Sequence, residues 1–429
     1  MKTRVLVLFL AISGIGAVGA GEDVPPSPAA LRITAAQKVL QKQPNCYQAE
    51  NDLAMALIRR ARETGDSSYY QQANAAIELS LKIQPLNFEA GQAHAALLLA
   101  EHRYRAALEE ARSLNHRMPD AVLVWGYMAD AEAELGDYKQ AEQSAQWMMD
   151  LRPGNLPAYL CGAVLRQDWG DMDGALDFLG KALQQTPPFE TEETAWILTR
   201  MARIHRQMGR PAAAEALLTQ ALKTFPNYYL SQEELAQVRL AQHRYAEAVD
   251  LLAERNRSFP SPFSHLLAAR AFDGAGRRDD ATKMYAEFER EARAQIMQPE
   301  NANRELIRYY VEVARQHQEA LRIAHLEFDN RHDVLTLDAY ACALFANGQT
   351  AEARQQIQKA LANGTGDAVI FYHAGIIEAA AGNKAESIHH FQHSLDLNPT
   401  SEVAEAARRS IGQSGNYTVV RYTLGSSGQ

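Results

Sequence analysis

Residues 122–153 read VLVWGYMADAEAELGDYKQAEQSAQWMMDLRP, and this stretch decides the fold. From Val122 to Leu135, Trp125, Met128, Ala129 and Leu135 are apolar or small residues of a first helix. Gly136-Asp137 breaks that helix, because both residue types favour turns over helix interiors. Tyr138, Ala141, Ala145 and Met148 then follow at spacings of 3, 4 and 3, one face of a second helix. Pro153 ends the unit, since its ring and missing N–H stop a helix from continuing. Each helix has only about 12–14 residues, too short to be stable alone in water. A neighbouring unit must cover its apolar face.

The same frame recurs along the chain. Pro85, Pro119, Pro153, Pro187, Pro226 and Pro260 stand 34, 34, 34, 39 and 34 residues apart. A fixed period of about 34 marks a helical repeat array. The next unit carries Tyr159, Ala163, Gly170-Asp171, Ala175, Leu179, Ala182 and Pro187. Comparable sets begin at Phe88, Ala195, Tyr229, Pro262, Val334 and Ala368. The small residue in each first helix lets the second approach closely, where a larger side chain would overpack.

In spacing and residue type these units resemble the tetratricopeptide repeat family over roughly residues 46–400. The resemblance implies an all-α protein, an α-α superhelix: a right-handed solenoid of about ten helix-turn-helix repeats. Two units depart from the pattern. Cys46–Pro85 carries extra residues around Glu63–Ser68, and the unit from Asn301 has Arg315-Gln316-His317 in place of the inter-helix glycine. Two connections are long, Pro188–Thr194 and Arg293–Glu300. They are either extensions of a helix or loop, or points of partner contact or altered superhelical path.

The ends of the chain read differently. Lys2 and Arg4 precede an apolar run from Val5 to Ile12, and Val18-Gly19-Ala20 supplies small residues for cleavage after Ala20. Residues 1–20 are therefore expected to be a signal peptide, with export to the periplasm or medium; an uncleaved anchor is the alternative. Residues 21–45 form a Pro-rich linker (Val24-Pro25-Pro26-Ser27-Pro28) and helical lead-in. Residues 401–412 are expected to be a polar-faced capping helix, as solenoids require, and 413–429 a flexible tail.

Composition narrows the function. The 429 residues carry a net charge of −9, which argues against nucleic acid as the main ligand. No P-loop, G-x-S-x-G, H-E-x-x-H, C-x-x-C or dinucleotide fingerprint occurs, and the repeats fill nearly the whole mature chain. No catalytic residue, cofactor or metal site is expected. His389 and His393, at i and i+4, are the nearest approach to a metal pair, read as a solvated helix face with His390. Cys46, Cys161 and Cys342 lie in repeats far apart and are read as free thiols.

The resemblance implies that the second, fifth, ninth and twelfth positions of each repeat line a concave groove. In the middle of the array these include Trp196, Arg203, Arg206, Glu233, Gln237, Phe263, Arg270, Asp273 and Tyr309; toward the end they include Leu335, Asp338, Cys342, Phe345, Val369, Tyr372 and Ile376. Arg203, Arg206 and Arg270 either grip a carboxylate or acidic peptide, or are neutralised in the groove by Glu233 and Asp273, the favoured reading. The later apolar set is either a helix-binding site or is covered by the cap. No repeat has lysine at its fifth and asparagine at its ninth position, the family's two-carboxylate clamp for chaperone tails. The chain thus reads as a non-enzymatic protein- or peptide-binding scaffold outside the cytoplasm. The alternative is an accessory subunit of an exported enzyme or of a transport or glycan-handling complex.

Overall fold

The computed structural model describes residues 26–258, 260–298 and 301–412. The expected signal peptide and tail lie outside the described residues. Among those described there are 22 helices and no strand. A lead-in helix α1 (Pro28–Lys42) precedes ten helical hairpins. They are α2 (Tyr47–Thr64) with α3 (Ser68–Ile83), α4 (Phe88–Ala100) with α5 (Tyr104–Arg117), and α6 (Val122–Glu134) with α7 (Tyr138–Leu151). Next come α8 (Leu156–Asp168) with α9 (Met172–Gln185), α10 (Thr191–Gln207) with α11 (Pro211–Thr224), and α12 (Tyr229–Ala241) with α13 (Tyr245–Ser258). Then follow α14 (Pro262–Gly274) with α15 (Arg278–Ala294), α16 (Asn303–Glu312) with α17 (His317–Asn330), and α18 (Val334–Ala346) with α19 (Thr350–Ala362). The pair α20 (Ala368–Ala380) and α21 (Lys384–Leu397) is the last, and α22 (Ala404–Gly412) caps the array.

Most hairpins share one turn. After α6, the amides of Leu135, Gly136 and Asp137 donate to the carbonyls of Ala131, Ala133 and Glu132 at 3.0, 2.9 and 2.8 Å. These bonds satisfy carbonyls that a helix end leaves unpaired. The geometry puts Gly136 at φ +81°, a region glycine enters without steric cost. Asp137 then caps α7, its side chain accepting from the amide of Gln140. His102, His243 and Arg315 occupy the same turn position without being glycine, at φ +57°, +56° and +57°. The hairpin around Arg315 forms regardless, with the Gln316 amide bonding the Tyr310 carbonyl at 2.9 Å. Packing of the two helices outweighs a local penalty of about 1–2 kcal/mol.

The small residues of the first helices are buried as expected: Ala129, Ala163, Ala202, Ala236, Ala269 and Ala341 lie in the core. The array also winds until distant hairpins touch. The loop before α18 meets the turn after α6, where the His332 amide donates to the Glu134 carbonyl at 2.9 Å. Beside it the Val334 amide donates to the Tyr138 hydroxyl at 3.1 Å, across 196 residues of chain. The loop before α20 meets the turn after α8: a Cβ on Gly170 would stand 2.5 Å from the Gly364 carbonyl oxygen. The loop after α21 meets the turn after α10, with Asn398 Nδ2 donating to the Arg206 carbonyl at 3.2 Å, across 192 residues. Three successive turns thus dock on three successive loops. A shared core beneath joins Tyr138, Cys161 and Leu165 to Leu306, Tyr310 and Leu337.

The long connections serve this winding. α10 has 17 residues, so Pro188–Thr194 is largely an N-terminal extension of a first helix. Its carboxylates hold the first hairpin. Arg62 Nε and Nη2 donate to the two oxygens of Glu192 at 3.0 and 2.7 Å, and the Tyr228 hydroxyl adds a bond of 2.7 Å. Arg59 Nη2 reaches Glu190 at 2.6 Å. The second connection is in part an extension of α15, also 17 residues long.

Three substitutions separate local from long-range costs. Gly348 stands at φ +79° with nothing near a prospective Cβ, so Gly348→Ala is expected to cost only the about 1–2 kcal/mol of a left-handed alanine. Gly170→Ala is expected to cost more, because the Gly364 backbone must also move. Arg315→Gly is expected to stabilise by roughly 1 kcal/mol. Urea-unfolding midpoints rank the three. Equal costs at Gly170 and Gly348 would show that the contact between distant hairpins carries no free energy.

Candidate functional site: the charged inner face

Winding encloses the inward sides of the first helices, and charged side chains line them. In the middle, Glu234 of α12 is fully buried. It accepts from Arg206 Nε at 2.5 Å, Arg203 Nε at 3.1 Å and Gln237 Nε2 at 3.4 Å. Burial alone would raise its carboxyl; Arg206 and Arg203 outweigh that and hold it below its ordinary value. Glu402, just before the cap, meets Arg308 Nη2 of α16 at 3.1 Å and Arg270 Nη1 of α14 at 3.8 Å. Against the opposing effect of burial, the field of Arg308, Arg270 and Arg206 holds Glu402 down at about 2.

These pairs correct the sequence reading. The three arginines are neutralised, but by Glu234 and Glu402 rather than by Glu233 and Asp273. Glu233 is buried one residue away and pairs with Arg255 Nη2 at 3.0 Å; Asp273 is exposed. Trp196 is half-buried, its ring 5.7 Å from the Arg200 guanidinium. Phe263 packs against Ala236, Leu252 and Leu267. Tyr309 lies inside an aromatic cluster, its ring centroid 5.4 Å from those of Tyr285 and Phe288. On that helix the charged side chains at four-residue spacing, Arg304, Arg308 and Glu312, form ion pairs instead. Leu335 is 49% exposed, and Phe345 packs on the shared core. Tyr372 is buried with Val403 and Ala407 of the cap, flanked by Val369 and Ile376, so the cap covers that part of the apolar set. His389 is exposed, whereas His390 is buried.

A second charged group lies at the contact between α6 and α18, and the sequence pattern did not mark it. Asp333 caps α18, accepting from the amides of Leu335 and Thr336 at 3.0 and 3.3 Å and from Arg304 Nη1 at 3.0 Å. Arg331 Nη1 reaches across to Glu134 Oε2 at 3.7 Å. Burial tends to raise Asp333, but Arg304 and Arg331 hold it below the usual range; burial and the Asp333 charge push Glu134 above it. Nearby, burial pushes Asp168 up to about 7 despite Arg200. These residues occupy repeat positions such as the fourth, sixth and thirteenth. Of these contacts, the Arg331–Glu134 pair joins hairpins far apart in the chain and depends on the winding of the array.

Residues 199–259 and 339–402 match the model of the tetratricopeptide repeat. No curated protein sequence matches the chain. Among solved structures, the APC/C hetero-tetramer Cut9–Hcn1 is similar at a TM-score of 0.50 and 13% identity, over 90% of this chain and 68% of that one. Human IFIT1, as a dimer with PPP-AAAA, gives a TM-score of 0.48 and 16% identity, over 85% and 87%. TTC0263, a thermophilic TPR protein of Thermus thermophilus, gives 0.38 and 23%, over 48% and 99%. Ten stacked hairpins sharing one inward side define an α-solenoid. The sequence match falls on α10–α13 and α18–α21, and those hairpins are tetratricopeptide repeats. That fold is a scaffold suited to protein partners. No helix among the described residues is long and apolar enough to cross a membrane.

The pKa shifts give opposite pH limbs. Asp168, raised to about 7, keeps its proton in the fold where the unfolded chain, titrating near 4, has lost it. Its contribution to stability therefore declines as pH rises from about 4 to about 7. Glu234 and Glu402 are held low; their contributions are present above about pH 4.5 and are lost as pH falls. The melting temperature of Asp168→Asn is expected to change less between about pH 5.5 and 8 than that of the parent. Equal changes would remove Asp168 as a source of the alkaline limb.

Proposed function

We propose that this chain is a non-enzymatic scaffold acting outside the cytoplasm, and that its inner face holds an acidic segment of a partner protein. One observation carries the reading: four inward arginines, Arg203, Arg206, Arg270 and Arg308, are answered by three carboxylates, Glu234, Glu312 and the half-exposed Glu402. A partner carboxylate that displaces Glu402 gains two guanidinium groups already positioned by helices. The half-buried Trp196 and Phe263 and the exposed Leu335 stand on the first helices α10, α14 and α18. Lys2, Arg4, the apolar run and Val18-Gly19-Ala20 support export.

A fluorescent oligoglutamate peptide serves as the probe. Glu402→Gln is expected to tighten its binding by up to about fivefold, the scale of one exposed ion pair, and Arg203→Ala/Arg270→Ala to weaken it. Unchanged affinity in both variants, with intact circular dichroism, would sink the arginine site. Mass spectrometry of the mature N-terminus in the native host tests export: a chain that retains Met1 and stays in the cytoplasm contradicts it.

A further inference from the structure

The C-terminal part of the inner face holds a cluster of different chemistry. Asp338 and Cys342 stand four residues apart on α18, hence on one helix face. His373 comes from α20, the first helix of the next hairpin. Asp338 and His373 are buried, and Cys342 is a half-buried free thiol. His373 Nδ1 lies 2.8 Å from Asp338 Oδ1, and Cys342 Sγ lies 3.9 Å from the same oxygen. One donor atom from each side chain lies within 4.8 Å of the other two.

We propose that Asp338, Cys342 and His373 form a binding site for one zinc-like divalent transition-metal ion. Metal–ligand bonds of about 2.0–2.3 Å set tetrahedral donor atoms roughly 3.3–3.8 Å apart. The 3.9 Å contact closes by a few tenths of an ångström to reach this spacing, and the 2.8 Å contact opens by about half an ångström. Thiolate, imidazole and carboxylate together suit zinc and its neighbours in the first transition row. Calcium and magnesium, which take oxygen donors, are disfavoured. One thiolate and one carboxylate balance a dication, so the filled site carries no net charge, as burial favours. The donors project from helices of adjacent hairpins, which fixes their separation better than loops would. Three protein donors leave a fourth position for water or a partner's ligand.

The second cluster of donors, Glu386, His389 and His390, is weaker on each count. All three sit on α21, the first two are exposed, and His390 Nε2 lies 3.4 Å from Glu386. It provides the control.

The full chain, stripped of metal by chelation, is titrated with Co²⁺ and then with Zn²⁺. One equivalent of Co²⁺ is expected to give a thiolate-to-cobalt charge-transfer band that Zn²⁺ abolishes. Cys342→Ser is expected to lose the band and to weaken Zn²⁺ binding beyond the roughly 10- to 100-fold that removal of an outer-shell partner costs. Cys161→Ser and His389→Ala are expected to keep it. Alkylation of Cys342 in the unmutated chain, followed by peptide mass spectrometry, is a second readout that does not depend on a variant folding. Saturating Zn²⁺ is expected to slow it at least about tenfold. No charge-transfer band, a band that survives Cys342→Ser, or alkylation indifferent to Zn²⁺ overturns the site.

Discussion

Backbone meets backbone where the turn at Gly170 touches the loop at Gly364, and the winding of the array rests on contacts of this kind. A solenoid of helical hairpins needs only neighbour contacts to bury its apolar faces. Its path is otherwise free to open. Here the turns after α6, α8 and α10 dock on the loops before α18, before α20 and after α21. The glycines that let a helix end sharply at Gly136 and Gly170 also leave no side chain between the two backbones. One residue type thus serves the local turn and the distant contact.

Closing the array has an electrostatic consequence. Inward charges that would stand in open water are surrounded by protein, and their values split apart. Carboxylates facing two guanidinium groups, such as Glu234, fall below the usual range. Those with weaker compensation, such as Asp168, rise to about 7. The same helices that carry repeat signatures on their packed sides therefore carry an ionic lining on their inner sides.

The fold was legible in the sequence because its causes are local. Alanine at the close helix contact, the Gly-Asp break and the proline stop are each dictated within one repeat, and α6 and α7 stand where those residues put them. The hairpin at Arg315 was legible without its glycine, because the flanking apolar spacing persists through His317–Asn330. The inner face was less legible. The fixed-position reading found Arg203, Arg206 and Arg270 but paired them with Glu233 and Asp273. Glu233 turns instead to Arg255, and Glu402 enters from a segment about 130 residues beyond Arg270. Nothing in a 34-residue period records which hairpins meet after a full winding. The Asp338–Cys342–His373 cluster shows the same limit: two members lay at groove positions, and His373, one residue past such a position, completes it only in three dimensions.

The docking of hairpins across 196 and 192 residues also changes how the chain behaves as a polymer. A repeat array held by neighbours alone is nearly one-dimensional: it can fray from its ends and be shortened unit by unit. Here the last hairpins lie against turns near the middle, so the free energy of one end is tied to the other half. The chain has the long-range contacts of a globular domain, with the slower search that closing such large loops entails. Deleting its final repeats strips support from helices laid down much earlier in synthesis. The described array therefore behaves as one cooperative body rather than as a row of separable units.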